Sequence, residues 1–286
     1  MTYQWFPGHM AKALRQMKND LKLVDIVIEL VDARVPVSSA NPVLDDIAGE
    51  KPRVVVMNKA DMAEDDWNFH WKAHYEKLGR PTVLCDSRNK RGFRAVIPTV
   101  LAACHERIER NKRRGLKDKP IRAMVVGVPN VGKSTFINAL SGKRAAKTGN
   151  RPGVTKGMQW IRLNRELELL DTPGVMMPKF ERQETGRKLA IIGSIKDELI
   201  IPEELAMVFL RWLAAHEPGF LQERYGLYVD DPLKTLEEIA VKRGCLKRGG
   251  VPDYERTARI LLDDFRNLRI GRLTLDREDE QYGRES

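Results

Sequence analysis

Long apolar runs are missing from these 286 residues. None approaches the roughly 18–20 residues that a helix needs to cross a bilayer, which excludes a bundle of membrane helices. The first ten residues, MTYQWFPGHM, hold no basic stretch leading into an apolar one and are not rich in Arg and Ser. Neither a secretory signal nor an organelle transit peptide is expected. Cysteine is scarce: Cys85, Cys104 and Cys245 are odd in number and form no CxxC pair. A disulfide framework and a zinc site are therefore not expected, and a reducing cytoplasm is the natural setting. Periodic glycine and Ser/Thr tracts are absent too, which excludes collagen and mucin. A hydrophobic fraction of 42% excludes simple disorder. What remains is a soluble globular chain of one large or two ordinary domains, at about 150 residues each.

Positive charge is in excess, with 50 Lys and Arg against 40 Asp and Glu, a net of +10. It is unevenly spread. Residues 1–120 carry 22 basic and 16 acidic groups, residues 121–180 carry 10 and 3, and residues 181–286 carry 18 and 21. The excess thus lies in the first 180 residues, above all in 107–122 and 143–165. A polyanion partner and a solvated basic surface both fit such a charge.

The same 180 residues alternate short apolar runs with helical stretches. IVIELV at 26–31, RVVVM at 53–57, TVLC at 82–85, AMVV at 123–126, and the runs at 157–163 and 167–170 read as strands. Residues 93–113 and 133–141 read as helices. This is an α/β fold around a mostly parallel six-stranded sheet. After residue 180 only helices are expected, over 184–193, 203–216, 233–243 and 253–268, with prolines between them. The predicted organisation is an α/β domain over 1–180 and a small all-α domain over 181–286, with a charged end from Asp276 that frays.

Four motifs sit at strand ends. Gly127-Val-Pro-Asn-Val-Gly132-Lys133-Ser134 matches GxxxxGK[ST] between a strand and a helix. In such a loop the backbone N–H groups of Asn130, Val131, Gly132 and Thr135 turn toward phosphate oxygens. Lys133 reaches the β- and γ-phosphates, and the Ser134 hydroxyl ligates Mg²⁺. The following helix adds the positive end of its dipole. Asp171-Thr-Pro-Gly174 closes another strand, where a carboxylate can hold Mg²⁺ through water and the Gly174 N–H can meet the γ-phosphate. Thr155, in Pro152-Gly-Val-Thr155, can ligate Mg²⁺ only while that phosphate is present. Asn58-Lys59-Ala-Asp61 supplies a carboxylate for the guanine N1–H and N2–H₂ edge, a lysine stem to cover the base, and an amide to orient the loop. Cys85-Asp-Ser87-Arg88 suits a second base-side loop, with backbone N–H groups toward guanine O6. Together these favour GTP over ATP.

The order of the motifs is unusual. NKAD and Ser87 precede the phosphate loop, and DTPG comes last. A permuted chain still builds the same site when its original ends are joined, here through the basic connector near 113–121. Whatever follows DTPG is then tethered to a nucleotide-sensitive segment. Phe6-Pro-Gly-His9-Met10, Asp32-Ala-Arg34, NKAD, GVPNVGKS, PGVTKG, DTPG and Gly193-Ser-Ile-Lys-Asp197, in this order, resemble the circularly permuted GTPases of the ribosome biogenesis GTPase A family across essentially the whole chain.

That resemblance implies a P-loop GTPase that uses GTP and Mg²⁺ and promotes late assembly of the large ribosomal subunit. Its partners would be the subunit precursor, ribosomal RNA and ribosomal proteins, with no membrane and a monomer when free. It also bears on how water is activated. Many GTPases place a glutamine after DxxG; here Val175 follows Gly174, and the resemblance points to His9 instead. A structural histidine at a helix start is the plainer alternative. Asn130 could hold a monovalent cation between the phosphates, and similar GTPases with Asn there use K⁺; a merely polar loop residue is the alternative. RNA contacts would come from Arg144 and Lys147 near the switch, and from Lys242, Arg243, Lys247, Arg248, Arg256 and Arg259 on the helical domain. There, Arg256, Arg259 and Arg266 are expected to lie away from the apolar face of their helix. Three rivals stand beside the GTPase switch: a binding module that uses GTP only structurally, a kinase or ATPase sharing the phosphate loop, and a GTPase acting on tRNA or the small subunit.

Overall fold

A computed structural model describes residues 8–116, 119–142, 159–171 and 182–277; the side chains of 8–14 and 159 lie outside the description. The chain divides into two compact units, Met1–Arg182 with Thr274–Ser286, and Gln183–Leu273.

The first unit is built on a six-stranded sheet of β1 (Ile26–Asp32), β2 (Arg53–Asn58), β3 (Thr82–Cys85), β4 (Ile121–Gly127), β5 (Gln159–Arg162) and β6 (Leu167–Asp171), in the order β3-β2-β1-β4-β6-β5. All neighbours run parallel except β5, which is antiparallel to β6 at the edge. Every residue of β1 is buried, as a strand covered on both faces requires, so its sequence shows no polar alternation. Glu29 is the exception in type, and it is satisfied: its carboxylate accepts from the Asn41 N–H at 2.9 Å and Arg53 Nη1 at 3.2 Å.

Helices α1 (Gly8–Leu21) and α2 (Val43–Ile47) cover the sheet centre, where Met17, Leu21 and Leu44 meet Val27, Met124, Val126 and Leu170. Helix α3 (Asp65–Lys77) lays Trp71 and Tyr75 on Val31, Val55 and Met57. Helices α4 (Phe93–Ala103) and α5 (His105–Arg113) replace the single helix expected over 93–113. The break falls at Cys104, where φ is −103° and ψ is 10°. Val96 and Val100 hold α4 down, whereas α5 (HERIERNKR) has no buried residue to continue along the sheet. Helix α6 (Lys133–Ser141) follows the phosphate-loop motif and buries Phe136 and Ile137.

The second unit holds α7 (Gln183–Ile191), α8 (Pro202–His216), α9 (Gln222–Tyr225), α10 (Pro232–Lys242) and α11 (Tyr254–Arg266). The four longer helices lie where sequence places them, within two residues at each end. Prolines open α8 and α10, where a missing N–H costs nothing. The Asp231 carboxylate caps α10 by accepting from Leu233 N and Lys234 N. Phe209 and Phe265 join α8 to α11 with ring centroids 4.9 Å apart. Arg266 departs from expectation: its guanidinium turns inward and donates to the carbonyls of Ala190 at 2.7 Å and Ile191 at 2.9 Å, closing the end of α7.

The end of the chain is also corrected. Asp276 and Arg277 do not fray; they are 0% and 7% exposed. From Thr274 onward the chain belongs with the α/β unit rather than the helical one. The reason is hydrogen bonding: the Asp276 carboxylate accepts from Val37 N, Ser38 N and Ser38 Oγ at 2.7–2.9 Å.

Candidate nucleotide site

Five strands end at one edge of the sheet, and each delivers a motif there. Asp32 ends β1, Asn58 ends β2, Cys85 ends β3, Gly127 ends β4 and Asp171 ends β6. The carboxyl edge of an open parallel sheet is where ligands bind in such folds.

The loop after β4 is shaped by two glycines. A Cβ on Gly127 would lie 2.7 Å from the Leu30 carbonyl oxygen and 2.9 Å from Val131 Cγ1. Gly132 sits at φ 100°, and a Cβ there would collide with Asn58 Nδ2. Only glycine fits both positions, and the tight passage brings two loops together. Asn58 Nδ2 donates to the Val131 carbonyl at 2.8 Å, while Asn58 Oδ1 accepts from Ser87 Oγ at 2.6 Å and Ser87 N at 3.2 Å. One buried amide therefore joins three loops that are far apart in sequence.

Lys59 adds a second tie. Its Nζ donates to the Asn130 carbonyl at 2.8 Å and to Asp32 Oδ2 at 2.8 Å. Both Lys59 and Asn130 have φ 59°, in the left-handed region that non-glycine residues rarely adopt. Such conformations cost about 1–3 kcal/mol and persist only where the surroundings hold them. Asp32 is fully buried and clamped by Arg34, whose Nε and Nη2 donate to its two oxygens at 2.9 and 2.8 Å. Burial would raise the Asp32 carboxyl, but Arg34 and Lys59 together outweigh it and hold it well below the usual carboxylate range. Burial lowers the Lys59 ammonium, partly offset by Asp32.

Asp61 is half-buried, and burial followed by the neighbouring Asp86 carboxylate pushes its carboxyl up. Asp86 organises the second base-side loop, accepting from Arg88 N at 2.9 Å, Asn89 N at 3.0 Å and Asn89 Nδ2 at 2.7 Å. The N–H groups of Ser87 and Arg88, expected to face a base oxygen, are thus engaged by side chains here; the Arg88 side chain is exposed.

At the other end, Lys133 is buried, 7% exposed, at the start of α6. Burial pushes its ammonium down to about 8 despite the pull of Asp171. Asp171 is buried as well, and its Oδ1 has no hydrogen-bond partner among the described residues. An unsatisfied buried carboxylate oxygen beside a phosphate loop suits a hydrated cation. Ser134 and Thr135 follow in the first turn of α6 and are half-buried. No cluster of three His, Cys, Asp or Glu able to hold a metal occurs among the described residues. A Mg-nucleotide needs none, because phosphates and water supply most of the ligands. His9 lies in α1 with its side chain outside the description, and Arg144, Lys147, Thr155 and Gly174 lie outside the described residues.

Residues 122–206 match the family model described as 50S ribosome-binding GTPase. Over the whole chain, the ribosome biogenesis GTPase A of Bacillus licheniformis is 45% identical, spanning 98% of this chain and 100% of its own. The chain belongs to the ribosome biogenesis GTPase A family. The family member of Thermotoga maritima is 33% identical over 96% of this chain and 95% of its own length. The bovine mitochondrial ribosome-associated GTPase 1 is 36% identical over 96% of this chain and 89% of its own. The crystal structure of GNP-bound YlqF from T. maritima superposes with a TM-score of 0.69 at 28% identity, covering 93% of this chain and 98% of that one. As a member of this family the protein is a GTP hydrolase of ribosome biogenesis, it binds guanine nucleotide, and its α/β unit is circularly permuted. No helix among the described residues is long and apolar enough to cross a membrane.

The family's helical unit carries the remaining sequence candidates at its surface. Lys242, Arg243, Lys247, Arg248, Arg256 and Arg259 are all exposed. Arg243, Arg256, Arg259 and Arg269 line a groove of about 450 Å³, together with Asp253, Glu255, Asp263 and Asp264. Arg259 pairs with Glu255 at 2.9 Å one turn away. The groove is of mixed sign, so the cationic groups are spaced by acids rather than massed.

Sequence reasoning missed two members of the site. Asp32 was visible only as part of a family motif. Asp86 had a local signal, since an Asp just past a strand and before Ser-Arg-Asn is an Asx-turn former.

Proposed function

We propose that this protein is a GTP-driven switch that binds the large ribosomal subunit precursor in the cytoplasm, promotes its late assembly, and leaves when GTP is hydrolysed. The observation that carries the nucleotide part is Asn58, whose side chain spans the phosphate loop and both base-side loops, so that base and phosphate subsites form one unit. In this reading Asp61 accepts the two N–H donors of guanine, the Lys59 stem covers the base, and Ser87 and Arg88 close its far side. Asn130, Val131, Gly132, Lys133, Ser134 and Thr135 take the phosphates. Lys133, with its ammonium readily desolvated, gains most when negative charge develops on the transferred phosphoryl group.

Ser134, Asp171 and Thr155 would hold Mg²⁺, the Asp through water, and the bare Asp171 Oδ1 supports that assignment. Mg²⁺ bound there would neutralise charge between the β- and γ-phosphates. Thr155 and Gly174 would contact the site only while the γ-phosphate is present, and the ten residues 172–181 tie that change to α7. His9, carried by α1, would orient the attacking water, and Asn130 would favour K⁺ over Na⁺. The exposed basic groups of the helical unit, with Arg144 and Lys147, would contact ribosomal RNA and the proteins around it, the free protein being a monomer.

Cosedimentation with large subunits in GTP, GDP and a non-hydrolysable analogue tests this. Binding with the analogue and release with GDP are expected; equal binding in all three overturns the switch. In parallel, His9→Ala should abolish stimulation of turnover by the precursor, and unchanged stimulation would remove His9 from the mechanism.

A further inference from the structure

Beyond the motifs, the segment that returns from the helical unit touches both sides of the guanine-reading loop. Residues Thr274, Leu275 and Asp276 are fully buried. On one side, Asp276 holds Val37 N, Ser38 N and Ser38 Oγ, and Leu275 N donates to the Arg34 carbonyl at 2.7 Å. That grips the loop following β1. Ser39, next in this loop, accepts from Asp32 N at 2.9 Å, so the backbone of Asp32 is fixed by the same loop. On the other side, Glu64 lies three residues past Asp61. Its Oε2 accepts from Thr274 N at 2.9 Å and Arg277 Nη2 at 3.1 Å, and Arg277 stacks on Trp67 with 4.7 Å to the ring centroid. Between these grips sit Asp32 and the left-handed Lys59 it holds.

We propose that the return segment Thr274–Arg277 sets the rate of guanine-nucleotide release, with Asp276 and Asp32 acting as positioning residues for Lys59. Lys59 has two partners for its Nζ, the phosphate-loop carbonyl and Asp32, and it stays in a strained backbone region because both are in place. Asp32 can serve only while Arg34 and the backbone of the β1 loop present its oxygens. Asp276 fixes that loop by accepting two backbone N–H groups and a hydroxyl, which no neutral side chain of its size can do. An amide at 276 would turn at least one N–H donor toward the Val37 and Ser38 N–H groups. The helical unit is therefore joined to the α/β unit at two nucleotide-related places: after Asp171, and through this segment to the base loop.

The inference rests on the reading of NKAD as the guanine loop, and the experiment separates the two. Full-length Asp276→Asn is loaded with a fluorescent GDP, and release is followed by stopped flow. Release roughly tenfold faster than wild type is expected from loss of a charged hydrogen-bond set. Ser38→Ala, a milder change at the same contact, should accelerate release in the same direction and guards against a misfolded Asn variant. In a Lys59→Ala background the Asp276→Asn effect should disappear, because a positioning residue has nothing left to position; a merely structural role would add in full. Asp61→Asn should shift preference from guanine to xanthine nucleotide. If that shift fails, the guanine-loop reading falls and the inference with it. If it succeeds but both strap variants release GDP within twofold of wild type, or their effect persists undiminished without Lys59, the inference alone is overturned.

Discussion

Lys133 carries the sharpest consequence at the scale of single residues. Its ammonium is pushed down to about 8 by burial, whereas an unfolded chain keeps a lysine near 10.4. Between those values the unfolded state binds more protons, so this group makes the nucleotide-free fold more stable as pH rises from about 8 to about 10.4. Bound phosphate reverses the balance, since anionic oxygens favour the charged amine. Nucleotide binding at pH 8–9 should therefore take up protons, measured as a buffer-dependent binding enthalpy, and Lys133→Met should abolish the uptake. Gly132 gives a steric test of the same loop. Gly132→Ala forces Cβ into the Asn58 amide at a φ of 100°. Losing one or both Asn58 bonds should weaken GDP binding by about ten- to a hundredfold, roughly 1–3 kcal/mol. Equilibrium titration would read this, and unchanged affinity would show that the Asn58 bridge is dispensable.

Elements explain why some of the fold was legible and some was not. The strands could be read because a doubly covered parallel sheet needs unbroken apolar runs, and IVIELV and RVVVM supply them with their motifs at the carboxyl ends. The helices of the second unit could be read from prolines at their starts and amphipathic spacing after them. The break at Cys104 was hidden because α5 continues in helix-forming residues; what ends α4 is the loss of buried contacts, a tertiary fact. The burial of Asp276 was hidden for the opposite reason. Its neighbours Glu278, Asp279 and Glu280 read as a solvated acidic tail, while its partners lie some 240 positions away in sequence. Arg266 was misplaced because helical spacing alone does not show that it reaches the carbonyls ending α7. A stability test belongs here. Leu275→Ala removes a fully buried side chain from the returning segment and should cost about 2–4 kcal/mol. The loss should appear as a lower denaturant midpoint for the α/β unit, reported by the buried Trp71; an unchanged midpoint would mean that the segment contributes little to holding the unit together.

Across the whole molecule, the unequal charge of the two units separates two ways of meeting RNA. The helical part is slightly acidic in sum, and its exposed arginines share their groove with four carboxylates. The basic excess lies instead between Lys143 and Arg165, beside the switch threonine. If RNA contacted only the helical unit, the salt dependence of subunit binding would be set by a few phosphates there and would be insensitive to the other end. If the nucleotide-sensing face also contacts RNA, each Lys or Arg on a phosphate adds about 0.7–0.9 to the slope of log K against log salt. Charge reversal at Arg144, Lys147 and Arg151 should then lower that slope by about 2–3 with the GTP analogue bound, and by much less with GDP, when the switch is released. Reversal at Lys242, Arg243 and Lys247 should lower it equally in both nucleotide states. Measured by cosedimentation over a salt series, an equal effect of the first triple variant in GTP-analogue and GDP states would detach the basic face from the switch, leaving nucleotide control to the helical unit alone.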